Sequence, residues 1–243
     1  SSSYVRGNWG NEGRSAFILM SKSCHDIDIF SYLTAKKCIK VSSFGSLSFF
    51  NREHQPAGAP SYCLDGCPDG KDCPYHCSKI YLENPFWRFV FPRKDDESVR
   101  EYLRRGPYGR CVFQCDNDVV DHQAVNFEYE GGITGTFTLT AFNAEINRYI
   151  RVHGTKGVIT GNLEEREIVY KSFLTRNLNT IKLPAPKTQG HGGGDALVLE
   201  SVTNAIRGKD PQAVLTTARE SFESHRIVFA AEEARRTGSV VSV

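Results

Sequence analysis

Val125-Asn-Phe-Glu-Tyr-Glu-Gly-Gly-Ile-Thr-Gly-Thr-Phe-Thr-Leu-Thr140 reads as two strands joined by a tight turn. Val125, Phe127 and Tyr129 alternate with polar residues before Glu130-Gly131-Gly132, and Ile133, Phe137 and Leu139 alternate with threonines after it. Alternation of period two, broken by a glycine pair, is the signature of a β-hairpin. The threonine row predicts an antiparallel sheet with one face more polar than the other. This hairpin sets the fold class, because a parallel βαβ pattern would need a helix between the two strands.

Working outward, more strand pairs follow. Arg148–His153 and Val158–Gly161 flank Gly154-Thr-Lys-Gly157, a second hairpin, and 167–170 and 180–183 are further strands. Upstream, Cys38–Phe50 alternates well enough to be a strand, with Gly45 suggesting a bulge. Tyr4–Trp9 reads as a short strand, with Arg6 and Asn8 on one face and Val5 and Trp9 on the other. A helix is predicted from about Phe17 to Leu33, with Ile18, Leu19, Ile27, Phe30 and Leu33 as its buried stripe. Short helices are predicted over 78–82 and from the Asp95 cap to about Arg104, and longer ones over about 196–207 and 213–236. Val240-Val241 could close the chain as a last strand. Helix and loops first, sheet in the middle and helices last give an α+β protein: an open, mostly antiparallel sheet with helices on one face.

Composition narrows the function. The chain has 243 residues, enough for a sizeable core, and its net charge of +2 is too small to draw nucleic acid or another polyanion. No apolar run is long enough to span a membrane, and the start lacks the basic and apolar regions of a signal peptide. Lacking an initiator Met, the sequence reads as a fragment or a processed product, and a cytoplasmic location is expected.

Four groups of residues could carry chemistry. Lys22, Cys24, His25, Asp26 and Asp28 crowd the predicted first helix. Histidine is the usual acid/base near neutral pH, a neighbouring carboxylate can orient its ring, and a lysine one turn away can hold a hydroxyl-rich or anionic substrate. The alternative is an amphipathic helix with a solvated charged face. His191-Gly-Gly-Gly-Asp195 is a glycine-dense loop that lets backbone approach a ligand, with Asp195 a possible helix cap. Cys63-x3-Cys67-x5-Cys73-x3-Cys77 could bind zinc, form disulfides or stay free; its spacing departs from two C-x2-C pairs. His122, in Asp121-His122-Gln123, reads as a structural histidine. No G-x-G-x-x-G unit joins a strand to a helix, so no cofactor-binding residues are assigned in this chain.

Several of these segments occur together, in this order, in one family. Arg6-Gly7-Asn8-Trp9, Ser21 to Asp28, Asp121-His122-Gln123, Val152-His153-Gly154-Thr155-Lys156-Gly157, Gly190 to Asp195 and Glu223-Ser224-His225-Arg226 resemble the C-terminal half of the Gfo/Idh/MocA oxidoreductases, the glucose–fructose oxidoreductase and inositol dehydrogenase family. The resemblance covers nearly the whole chain. It implies a single substrate-binding and oligomerisation domain over 1–243, with a Rossmann domain that binds NAD or NADP, and a Glu-Lys-Pro lysine, expected upstream. It implies a sugar-like or polyol substrate and a homo-dimer or larger assembly through the sheet face. By the same resemblance His25 and Lys22 are the catalytic candidates, and Arg6, Asn8, His191 and Asp195 the substrate-binding ones. Many members have aspartate four residues before the histidine; here that position is Ser21. A glycoside hydrolase that uses NAD transiently, or a non-catalytic binding module, would be alternative outcomes within the same frame.

Overall fold

The computed structural model describes residues 2–144, 147–186, 191–208, 214 and 216–243. Asp210-Pro211 and the expected start of the last helix at Ala213 lie outside the described residues, as do Gln189 and Gly190 of the glycine loop. The chain divides into two compact units, residues 1–143 with 218–243, and residues 144–217.

The first unit holds β1 (Cys38–Ser46), β2 (His122–Tyr129), β3 (Ile133–Thr140) and β8 (Val241–Ser242), in the order β3-β2-β1-β8. The quoted hairpin is its spine: Val125 pairs with Phe137 and Tyr129 with Ile133, while Val41 pairs with Phe127 on the other side of β2. Val125, Phe127 and Tyr129 point to one face and meet Leu19 and Ile27 of α2 (Ile18–Thr34) and Ile227, Val228 and Ala231 of α6 (Ala218–Thr237). Burying each such side chain contributes roughly 1.5–3 kcal/mol, so this layer is the main core of the unit. The opposite face is polar, as the threonine row predicts: Thr136 Oγ1 donates to Asn126 Oδ1 at 3.0 Å, and Lys40 pairs with Glu128 at 2.8 Å.

The class is therefore α+β with antiparallel strands and helices on one face. What differs is the number of sheets. The second unit has its own four strands, β4 (Tyr149–His153), β5 (Gly157–Asn162), β6 (Glu167–Ser172) and β7 (Leu178–Lys182), in sequential order, followed by α5 (Gly194–Ile206). A meander of hairpins pairs with itself, so these strands close on one another rather than extending β3.

Four local expectations change. Tyr4–Trp9 is not a strand; Ser2–Arg6 is a helical turn, α1, whose Val5 and Arg6 are both fully buried. Leu33 is half exposed, because the buried line on α2 runs through Leu19, Ser23 and Ile27 at four-residue steps. β1 stops at Ser46 because the Asp121 carboxylate takes the backbone N–H groups of Phe49 and Phe50 and turns the chain. Gly45 carries no bulge. It sits opposite Gln123, where a Cβ would stand 2.6 Å from the His122 carbonyl, so the glycine permits close strand approach, and the register shift falls at Cys38/Lys40 instead.

The long connection between β1 and β2 contains α3 (Cys77–Tyr81) and α4 (Asp96–Arg105). Asp95 caps α4 by accepting from Ser98 N at 2.9 Å. Two further clusters hold this connection. One gathers Phe50, Cys111, Val112 and Phe113, with Phe49 and Tyr75 packed edge-on around Phe50. The other gathers Cys63, Cys77, Tyr81, Phe91, Val99 and Leu103.

Candidate functional site

α2 begins after Phe17, whose carbonyl accepts from Met20 N and Ser21 N. With one face of α2 committed to the core, Lys22 and His25 fall on the outer face as i,i+3 neighbours. His25 has 55% of its side chain exposed, and its Nε2 lies 3.7 Å from Asp26 Oδ2. Asp28 is half-buried one turn beyond Cys24, and Cys24 packs against the core. The titratable groups of this helix therefore divide: His25 and Lys22 reach solvent, while Cys24 turns inward.

The fold adds a residue that the sequence did not point to. Tyr4 lies 17 positions before Ser21, yet its hydroxyl and the Ser21 hydroxyl share a hydrogen bond. Ser21 also donates to the Phe17 carbonyl at 3.2 Å. Burial among Ile18, Val119, Val120 and Leu139 pushes the Tyr4 phenol up, against the lowering effect of Ser21. Ser21 is one helical turn before His25, so the Tyr4–Ser21 pair stands one turn before His25 on the line of α2. No sequence signal foretells this, because it depends on α1 folding back onto α2.

Arg6 does not join that group. It is fully buried, with its Nη1 donating to the Tyr108 carbonyl at 3.4 Å and its Nη2 to the Tyr75 carbonyl. It anchors α1 to the cysteine-rich connection instead of facing solvent. Asn8, two residues on, is exposed. His191 and Asp195 belong to the second unit, where His191 Nδ1 and Asp195 Oδ1 are 2.8 Å apart and both side chains are exposed. Asp195 is not the cap of α5. Gly193, at φ +93°, holds that position, and Asp195 lies in the first turn, where a carboxylate suits the helix dipole.

His122 is the second histidine of interest. Its Nδ1 is 2.8 Å from Oδ1 of Asp121, a carboxylate with no exposed surface. Burial alone would raise the Asp121 carboxyl, but hydrogen bonds from Phe49 N, His122, Ser48 and Phe50 N hold it below the usual carboxylate range. The arrangement fixes the imidazole of a half-exposed histidine at the start of β2 and closes the turn after β1.

The four loop thiols do not converge as a set. Cys77 is fully buried beside Tyr81 and Phe91, and Cys63 is hydrogen-bonded to it. That bond lowers the Cys63 thiol against the opposing effect of burial, with Arg6 adding to the lowering; the same bond and burial push Cys77 up.

The profile of the oxidoreductase family's C-terminal alpha/beta domain matches residues 2–243. The chain belongs to the Gfo/Idh/MocA oxidoreductase family. It is 24% identical over 219 residues to YteT of Bacillus subtilis (strain 168), an oxidoreductase by provisional assignment; the match takes in 81% of this chain and 48% of YteT. Among solved structures, the chain is similar to aldose-aldose oxidoreductase from Caulobacter crescentus, complexed with glycerol, at 14% identity and a TM-score of 0.55, covering 100% of this chain and 52% of that one. It is also similar to the WlbA dehydrogenase from Bordetella pertussis, in complex with NADH and UDP-GlcNAcA, at 14% identity and a TM-score of 0.52, covering 99% and 50%. At such identities the likeness is one of fold. This Gfo/Idh/MocA chain spans about half the length of the relatives it matches.

Proposed function

We propose that this chain is the substrate-facing and assembly domain of an NAD(P)-dependent oxidoreductase that acts on a sugar, a polyol or a related hydroxylated compound. The observation that carries the proposal is His25 on the outer face of α2, with Lys22 beside it and the Tyr4–Ser21 pair one turn before it. Oxidation of a carbinol requires its hydroxyl to lose a proton, and a solvent-reaching imidazole can accept one near neutral pH. Lys22 would hold the oxygen as negative charge grows there, and Asn8 would supply a neutral hydrogen-bonding partner for substrate hydroxyls. His191 with Asp195, in the second unit, is the other pair this reading assigns to substrate. Arg6 acts at one remove, as the anchor of α1 and so of Tyr4.

This reading assigns no dinucleotide site to the chain. All pairings among the described strands of both sheets are antiparallel, so there is no parallel-sheet crevice of the kind that receives a pyrophosphate. The nicotinamide is therefore assigned to a Rossmann segment outside the chain. The test is a titration of NADH and NADPH by fluorescence, done on the full-length protein and on residues 1–243. The full-length protein should bind one of them and turn over a sugar or polyol; this chain alone should bind neither. Tight nicotinamide binding by residues 1–243 would remove the proposal.

The same reading places a second copy of the chain on the helix-free face of the first sheet, where Phe44, opposite Ala124, is 65% exposed. Light scattering of the full-length protein should give a dimer or larger, and a clean monomer would remove the assembly role. Among the described residues no helix is long and apolar enough to cross a membrane.

A further inference from the structure

The connection between β1 and β2 poses a physical problem. Between Phe50 and α3 the regular structure amounts to one three-residue turn of helix, Arg52–His54. A loop of that length with so little secondary structure is uncommon, and commonly functional; here side-chain packing holds it. The sequence offers Cys63, Cys67, Cys73 and Cys77 as one candidate set, but the fold sorts the thiols differently. Cys77 is buried in the aromatic cluster of α3 and α4, where its thiol is hydrogen-bonded to that of Cys63. Cys111, from the far end of the connection, takes its place: Cys63, Cys67, Cys73 and Cys111 line one cavity, whose other walls include Pro60, Tyr75 and Phe113.

We propose that this cavity is a structural zinc site with Cys63, Cys67, Cys73 and Cys111 as its four ligands. Two further observations support it. Among these side chains the cavity has room for a single small sphere, which suits one ion and no organic ligand. A cation is built in beside them: Arg6 is fully buried, its Nη1 is 4.0 Å from Cys63 Sγ, and its Nε has no hydrogen-bond partner. Zinc bound by four thiolates carries a net double negative charge, and a buried guanidinium at that distance offsets part of it.

Among the described residues, no three Cys, His, Asp or Glu side chains are already gathered closely enough to hold a metal. Binding therefore involves rotation of the four side chains inward, to about 2.3 Å from the ion, with loss of the thiol protons to solvent. The ion would join the start of the connection to its end, Cys63 to Cys111, and so fasten the segment that also carries the Arg6 anchor.

The test is metal analysis of the full-length protein purified in reducing, chelator-free buffer. About one zinc per chain is expected, released by a mercurial that titrates thiols. Cys111→Ser should lower the content at least fivefold, while Cys77→Ser should leave it unchanged. Because Cys111→Ser could fail to fold, the wild-type protein is also to be stripped and titrated with Co²⁺, which should produce sulfur-to-cobalt charge transfer and the visible bands of a tetrahedral site. A stripped wild-type protein that develops neither signal would overturn the site. So would iron in place of zinc, or equal loss of zinc from the Cys77 and Cys111 variants.

Discussion

His25→Asn in the full-length protein is expected to lower kcat by about 10²–10⁴-fold, the usual contribution of a positioned general acid/base, with a much smaller change in KM. The reason lies in where His25 stands. Its side chain is more than half exposed on the outer face of α2, and its Nε2 lies 3.7 Å from Asp26 Oδ2. The amide of Asn keeps polarity and approximate size and cannot take up a proton. Unchanged thermal unfolding with a large fall in kcat would therefore isolate the proton-transfer role. The measurement is steady-state nicotinamide absorbance with a sugar or polyol that the full-length protein turns over, followed as a function of pH. The wild-type profile should show a limb that the variant lacks. Unchanged turnover would make His25 a solvated surface residue and end the catalytic assignment.

Asp121→Ala is expected to destabilise the first unit by about 3–5 kcal/mol, the cost of leaving several buried donors without their charged acceptor. The carboxylate is fully buried and accepts from Phe49 N at 2.8 Å, Phe50 N at 3.3 Å, Ser48 Oγ at 3.1 Å and His122 Nδ1 at 2.8 Å. Hydrogen bonds to a charged group contribute roughly 1.5–3 kcal/mol each, and a buried donor left unpaired adds its own desolvation cost. Phe49 and Phe50 also begin the aromatic cluster over Tyr75 and Phe113, so loosening this turn loosens that cluster. Urea unfolding followed by tryptophan fluorescence measures the effect. A loss below about 1 kcal/mol, one ordinary hydrogen bond, would show that the turn does not depend on the carboxylate.

A pH dependence accompanies it. Because hydrogen bonds hold the folded-state Asp121 carboxyl low despite its burial, the unfolded chain takes up the proton first as pH falls. Its stabilisation is complete above the ordinary carboxylate value of about 3.9 and is lost as pH falls toward the folded one. Asp121→Asn should flatten the acid limb of stability between those two values.

The sequence by itself determined the elements whose residues meet their neighbours at fixed short spacing. The Gly131-Gly132 turn and the alternation around it set β2 and β3 residue by residue, and the Asp95 cap set the start of α4. The family was legible as well, because it is carried by short segments in a fixed order rather than by contacts. The tertiary structure decided whatever depends on partners distant in the chain. Tyr4–Trp9 alternates like a strand, yet α1 is helical because its turn buries Val5 and Arg6 together against the cysteine-rich connection. That same packing withdraws Arg6 from solvent and brings Tyr4 to Ser21. Cys111 stands 34 positions beyond Cys77, and only the folded connection brings it to the cavity of Cys63, Cys67 and Cys73, while Cys77 is buried on the other side of Cys63 among the aromatic residues of α3 and α4. Periodicity reports which face of an element is apolar; which distant residue covers that face is a matter of packing, and packing selected the partners of the candidate site.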